Sequence, residues 1–269
     1  MNITSPSTSR AWIELNPNAL KRNVEFLQSR LPKSCRFMPA VKAEAYGHGA
    51  VLIAEQLTQM GIDAFCVACV DEAVSLRLHG IEGEILVLGY THPAQFPLLQ
   101  QYHLSQTIVD ASYAALLDQY GKEHAYTLPV HLAIDTGMHR LGEPFDRTDT
   151  ICRLFHLKHL KIDGIFTHLS ADDSLAPEAC AFTRMQVEHF EQVLTAIKKQ
   201  GLSLPKVHML ASYGILNYSE LGGDYARPGI ALYGVVSTPE DSLIWSRYLS
   251  PVLSLKCRIA SVRDLKAGD

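Results

Sequence analysis

Lys42, Tyr46, Arg140, His168, Ser212 and Arg227 are the residues whose types and positions could do chemistry together. All but Arg227 sit at or a few residues past the end of a short apolar run, and Arg227 leads the run that follows it. Lys42 and Tyr46 close AVKAEAYGHG, and Asp135, Thr136 and Arg140 close the run that ends in DTGMHRLG. His168 closes IDGIFTH, Ser212 follows KVHMLA, and Arg227, Gly229 and Ile230 lie in ARPGIALYG. An amine, two permanently charged guanidiniums, an imidazole and hydroxyls describe an anion-binding pocket with one covalent nucleophile. A lysine amine desolvated beside other cations is a better nucleophile than a solvated one.

These residues need a frame that gathers strand ends. The 269 residues allow one large α/β domain or two ordinary ones. Asn16 and Pro17 read as the cap and first position of a helix carrying Leu20, Val24, Leu27 and Leu31, stopped by Pro32. Short apolar runs then alternate with helices. The strands read as 37–41, 64–69, 84–89, 106–110, 129–135, 162–168, 206–210 and 229–234. Strands apolar on both faces imply a parallel sheet covered by helices. Eight such units imply an α/β fold of the (β/α)8 TIM-barrel type, with its chemistry at the C-terminal ends of the strands. An open doubly wound sheet is the alternative, weakened because no G-x-G-x-x-G follows the first strand. Residues 1–11 read as a flexible tail, 12–238 as the barrel, and 239–269 as the start of an incomplete β-rich domain.

The motifs add a resemblance. AVKAEAYGHG resembles the pyridoxal-phosphate lysine motif of the alanine racemases, VKANAYGHG. DTGMHRLG is similar to their DTGMGRLG, GIFTHLS to GIFTHFA, and ARPGIALYG to RPGIALYG. The resemblance runs from about Arg10 to Asp269. It implies a fold-type III enzyme that uses pyridoxal 5′-phosphate to racemise a small amino acid, making a D-amino acid of the kind built into peptidoglycan precursors. Lys42 would then be the Schiff-base lysine and one of two bases. Tyr46, Ser212, Gly229 and Ile230 would hold the phosphate. Arg140 would reach the phenolic oxygen and Arg227 the pyridine nitrogen, supported by His208. His168 would orient a tyrosine of the second domain. A head-to-tail homodimer is implied as well.

Three positions depart from that pattern. Glu44 replaces an Asn, and Ala211 replaces an Asn before Ser212. Ala133 stands where many members carry a carbamylated lysine facing the arginine equivalent to Arg140, so a chloride or another carboxylate is expected there. AEAYGHG and SYGILNY resemble the racemase domains of vancomycin-resistance serine/alanine racemases, which makes serine a candidate substrate beside alanine. In the family the second-base tyrosine follows the AGD-type turn, and the sequence ends at that turn with Asp269. The chain alone is therefore expected to be poorly active. A cofactor-homeostasis barrel without racemase activity is the alternative function, and a lysine lyase without the phosphopyridine is a third.

Charge and composition set the remaining expectations. The formal net charge is −4 with 19% charged residues, so a small-molecule partner is expected rather than a nucleic acid. No apolar stretch is long enough to span a membrane. The six cysteines are scattered, which suits free thiols in a reducing cytoplasm. Cys66 and Cys69 form a C-x-x-C on a strand, where the two side chains point to opposite faces, and no metal site is expected.

Overall fold

Alternation along very short strands builds this fold, and each strand end hands the chain to a helix or loop. The computed structural model describes residues 8–269. Its strands are β1 (Ala11–Leu15), β2 (Arg36–Phe37), β3 (Ala64–Val67), β4 (Glu84–Val87), β5 (Ser105–Ile108), β6 (Leu128–Asp135), β7 (Glu143–Pro144), β8 (Leu160–Phe166), β9 (Lys206–His208), β10 (Tyr225–Ala226) and β11 (Leu253–Cys257). The helical segments are α1 (Pro17–Ser29), α2 (Lys42–Gly47), α3 (Ala50–Gln59), α4 (Val70–Leu78), α5 (Phe96–Gln101), α6 (Ala111–Glu123), α7 (Thr148–Leu154), α8 (Pro177–Lys199), α9 (Ser212–Asn217) and α10 (Pro239–Trp245).

Strands β3, β4, β5, β6, β8 and β9 pair in that order, all parallel. β10 pairs parallel with β2. Asp224 N donates to Val207 O at 2.7 Å and Arg227 N to Leu210 O at 2.8 Å, which joins β9 to β10. Val41 N donates to Cys66 O and Cys66 N to Pro39 O, which joins β2 to β3. Eight parallel strands therefore form a closed ring, the barrel that the sequence implies.

Successive residues of each strand point to opposite faces. Phe65, Val67, Ile85, Val87, Leu132, Ile134 and Ile165 face outward into the large apolar layer shared with the helices. Their neighbours Met38, Ala40, Ala64, Cys66, Leu86, Ala133, Phe166 and Tyr225 form a second, smaller cluster inside the ring. Two layers on one short strand explain why both faces read apolar.

Two sequence readings change. The run 229–234 is not the eighth strand: Ile230–Tyr233 is a 3-10 turn, and Tyr225–Ala226 takes the strand position. A short apolar run suits a buried turn as well as a strand. Here the turn lies against α1, where Asn23 Nδ2 donates to Leu232 O at 3.0 Å. The strand read as 64–69 ends at Val67, with Cys66 in the barrel and Cys69 exposed at the start of α4.

At the chain's start, Asn16 Oδ1 accepts from Ala19 N at 3.0 Å and caps α1 as read. The tail reading lies mostly outside the described residues, and Ala11 already belongs to β1. β1 pairs antiparallel with β11 outside the barrel, Ala11 opposite Cys257 and Leu15 opposite Leu253. No helix among the described residues is long and apolar enough to cross a membrane.

Candidate functional site

A cavity of about 430 Å³ opens at the C-terminal ends of the barrel strands. Lys42, Tyr46, Arg140 and His168 line it, and so do Ser212, Arg227, Gly229 and Ile230. The structure thus brings all eight nominated residues to one place. Ala133 lines it too, and Arg140 makes no ion pair with a carboxylate among the described residues. The expected carboxylate substitute for a lysine at position 133 is not found among them.

Lys42 and Tyr46 reach the cavity from an unusual backbone. Ala43, Glu44, Ala45 and Tyr46 all hold φ between 50° and 55°, a single left-handed turn. Each such residue costs roughly 1–2 kcal/mol in an L-chain. Glu72 on α4 braces it: Oε1 accepts from Ala43 N and Oε2 from Ala68 N, both at 2.7 Å. Glu44 Oε2 accepts from Ala50 N at 3.0 Å, a carboxylate at the positive end of α3. The turn leaves Lys42 Nζ 6.0 Å from the Tyr46 ring centroid, with Lys42 half-buried. Sequence reading missed Glu72, because nothing local marks one helical glutamate as a brace.

A hydroxyl corner lies across the cavity. Ser212 Oγ accepts from Gly229 N at 3.0 Å and from Ala231 N at 3.1 Å. A hydroxyl oxygen has two acceptor sites, so the Ser212 O–H is left to donate elsewhere. A side chain at Gly229 would displace the Tyr46 hydroxyl, since a Cβ there would lie 2.7 Å from Tyr46 Oη. The Gly229 N–H is engaged by Ser212, which leaves Ile230 N–H as the nominated backbone donor without a partner among the described residues.

Arg227 is the buried cation. Its Nη2 donates to Thr167 O at 2.8 Å, its Nη1 contacts His208 Nδ1 at 2.6 Å, and its guanidinium lies 5.0 Å from the Phe166 ring centroid. Burial pulls its pKa down to about 10, so it stays charged near neutrality. His168 feels burial first, then Arg227, Arg140 and Lys42, and is pushed down to about 3. It is a neutral imidazole in ordinary buffers. Burial, with Asp173 beside it, pushes the Asp172 carboxyl up to about 6. Asp135 acts as a loop brace: Oδ1 accepts from Gly137 N and His139 N, both at 3.0 Å. Tyr213 lines the cavity while its hydroxyl donates to Asp241 Oδ2 at 2.7 Å.

A parallel barrel whose mouth offers a lysine amine, two guanidiniums and a serine–glycine corner defines a protein built to hold an anionic ligand within reach of an amine. Residues 15–237 match the family model "Alanine racemase, N-terminal domain". The chain belongs to that family. It is 41% identical over 261 residues to an amino-acid racemase of Enterococcus faecalis, covering 97% of this chain and 36% of that protein. It is 38% identical over 266 residues to a serine/alanine racemase of Enterococcus gallinarum, covering 99% of this chain and 37% of that protein. An alanine racemase of Geobacter sp. (strain M21) is 36% identical, with 95% of this chain and 68% of that protein covered. The chain thus spans little more than a third of the first two relatives. Among solved structures, an alanine racemase of Clostridium difficile 630 in complex with cycloserine superposes with a TM-score of 0.88 at 28% identity, covering 96% of this chain and 71% of that one.

Proposed function

We propose that this chain is the cofactor-binding barrel of a pyridoxal-phosphate amino-acid racemase acting on alanine or serine. The observation that carries the reading is the convergence of Lys42, Tyr46, Arg140, Ser212 and Arg227 on one cavity. The residues fit the group. Gly229 leaves open the space beside Tyr46 Oη that a Cβ would fill. Ser212 has one hydroxyl proton to give, and the mouth cations call for an anion. When bound, the cofactor supplies an electron sink for the pair left as the α-proton departs.

Lys42 would hold the cofactor through its amine and then carry a proton to or from one face of the substrate α-carbon. Tyr46, Ser212 and Ile230 N–H would hold the phosphate. Arg140 would donate to the ring oxygen. Arg227 would donate to the ring nitrogen and, keeping its own proton, leave that nitrogen unprotonated. A ring so held is a weaker electron sink, which favours return of the proton to the α-carbon over amino transfer. Proton exchange on both faces needs a donor on each. The second would be a tyrosine from a partner subunit in a homodimer. Neutral His168 would orient that tyrosine.

The test is the chain with added pyridoxal phosphate, compared with Lys42→Ala. The expected result is a visible absorption band in the first and none in the second. α-Proton exchange in D2O should run faster for the D than for the L enantiomer of alanine or serine. A band that survives Lys42→Ala defeats the assignment.

A further inference from the structure

The barrel interior holds a chain of polar groups that runs between its strands, from Glu84 and His131, which the proposed chemistry does not use, to Arg227, which it does. Glu84 (β4) lies at the N-terminal end of the ring. Its Oε2 accepts from Tyr225 Oη at 2.9 Å and faces Lys206 Nζ at 3.4 Å. Its Oε1 lies 2.7 Å from His131 Nε2 on β6, and neither of those two atoms has another hydrogen-bond partner. His131 Nδ1 meets His208 Nε2 on β9 at 2.9 Å. His208 Nδ1 meets Arg227 Nη1 at 2.6 Å. His131 and His208 are fully buried.

The two ends fix the direction of every bond. Arg227 has no acceptor atom, so it must donate to His208 Nδ1. The His208 proton is then on Nε2, facing His131. At the other end Glu84 is ionised, because His131, Lys206 and Tyr225 outweigh its burial and hold it down to about 2. A carboxylate only accepts, so His131 Nε2 must carry the proton it gives to Glu84. His131 Nδ1 is then a lone pair, which is what His208 Nε2–H requires. A proton added to either imidazole would set two donors face to face. Burial first, and then the nearby charge of Arg227, push His208 well below its ordinary range, in the same sense. The barrel also makes room for the chain: a Cβ on Gly164 would collide with the His131 ring. Phe166 stacks on His208 with ring centroids 4.9 Å apart.

We propose that Glu84 is a positioning residue for the cavity: acting through His131 and His208, it fixes both imidazoles as neutral Nε2–H tautomers, so that Arg227 always donates into a lone pair and is held in one orientation at the mouth. The consequence for the ring nitrogen rests on the role given to Arg227 above, whereas the tautomers do not depend on it.

The full chain labelled with [15N]histidine, without cofactor, gives the tautomers by long-range 1H–15N correlation, with His131→Asn and His208→Asn assigning the signals. Both histidines should be neutral with the proton on Nε2. Glu84→Gln, which puts a donor where the carboxylate was, should add a second tautomer at both. In the loaded chain the same variant should shift the visible band and slow α-proton exchange about tenfold, the scale on which outer partners of a functional group act. A proton on His208 Nδ1 in the wild-type chain overturns the proposal, and so do histidine spectra unchanged by Glu84→Gln. The wild-type spectrum decides even if the variant folds poorly. Failure of the cofactor reading would be seen separately, as a visible band that Lys42→Ala leaves intact.

Discussion

The floor and the mouth of this barrel are both charged, but only at the floor do cation and carboxylate pair directly. At the floor, Glu84 is surrounded by Lys206, Tyr225 and His131, each within hydrogen-bonding or ion-pair distance. At the mouth, Lys42, Arg140 and Arg227 form no ion pair with any carboxylate among the described residues. A balanced buried charge is part of the fold, since removing one partner strands the other in a medium that solvates it poorly. Cations gathered without a direct carboxylate partner disfavour one another and favour an anionic ligand. The same side-chain types therefore serve structure at one end and ligand binding at the other.

Five changes would break or sharpen this contrast. The largest effect is expected at the mouth from Lys42→Ala. α-Proton exchange in the loaded chain should fall by about a thousandfold or more, as for loss of a positioned general base, measured by NMR in D2O. Next is the floor: Glu84→Ala should cost about 3 kcal/mol of unfolding free energy, read from urea denaturation. A cost under about 1 kcal/mol would show that the floor is not a balanced set. Glu72→Ala removes the acceptor of two backbone N–H groups and should cost about 2 kcal/mol. It should also weaken cofactor binding, as titration of the visible band would report, because the left-handed turn loses its brace.

The fourth prediction concerns pH. His168 is depressed to about 3 in the folded, cofactor-free chain, below its unfolded value of roughly 6.5. Between those values the unfolded chain binds the proton and the folded chain does not. Stability contributed by His168 is therefore complete above about pH 6.5 and lost as pH falls toward 3, by about 1.4 kcal/mol per pH unit. Asp172, pushed up to about 6, opposes this below pH 6, because the folded chain takes up its proton first. Urea melts of wild type and His168→Gln at pH 7 and pH 5 separate the two, and the variant should lose less stability on acidification. The smallest effect is expected from Arg140→Met. It should stabilise the cofactor-free chain by about 1 kcal/mol, by relief of like-charge repulsion, while weakening cofactor binding. A destabilised cofactor-free chain would mean that Arg140 is balanced after all.

The mouth was legible before any coordinates because its residues stand directly after apolar runs, and strand ends in a parallel barrel converge. Lys42, His168 and Ser212 fit that rule, whereas Arg140 lies several residues past its run and Arg227 precedes the run 229–234, so these two rest on the motifs that contain them. Boundaries were harder. Ile230–Tyr233 is as apolar as a strand, yet it turns, because its neighbours are α1 and the barrel rim rather than two flanking strands. The left-handed turn of Ala43–Tyr46 left no trace in the residue types, as alanine, glutamate and tyrosine do not favour positive φ. Only the acceptor supplied by Glu72 on α4 and the N–H donated by Ala50 at the start of α3 reveal why it persists.

The sequence by itself determined the alternation of strands and helices, the closed parallel ring it implies, and the set of chemical groups at the mouth. Each of these depends on local periodicity and on one topological rule. The tertiary structure alone decided the floor and its link to the mouth. Glu84, His131 and His208 lie on three different strands and Arg227 directly after a fourth, with the two histidines 77 positions apart in sequence. Inward alternation on a closed ring brings them into contact, and no pattern along the chain records that meeting.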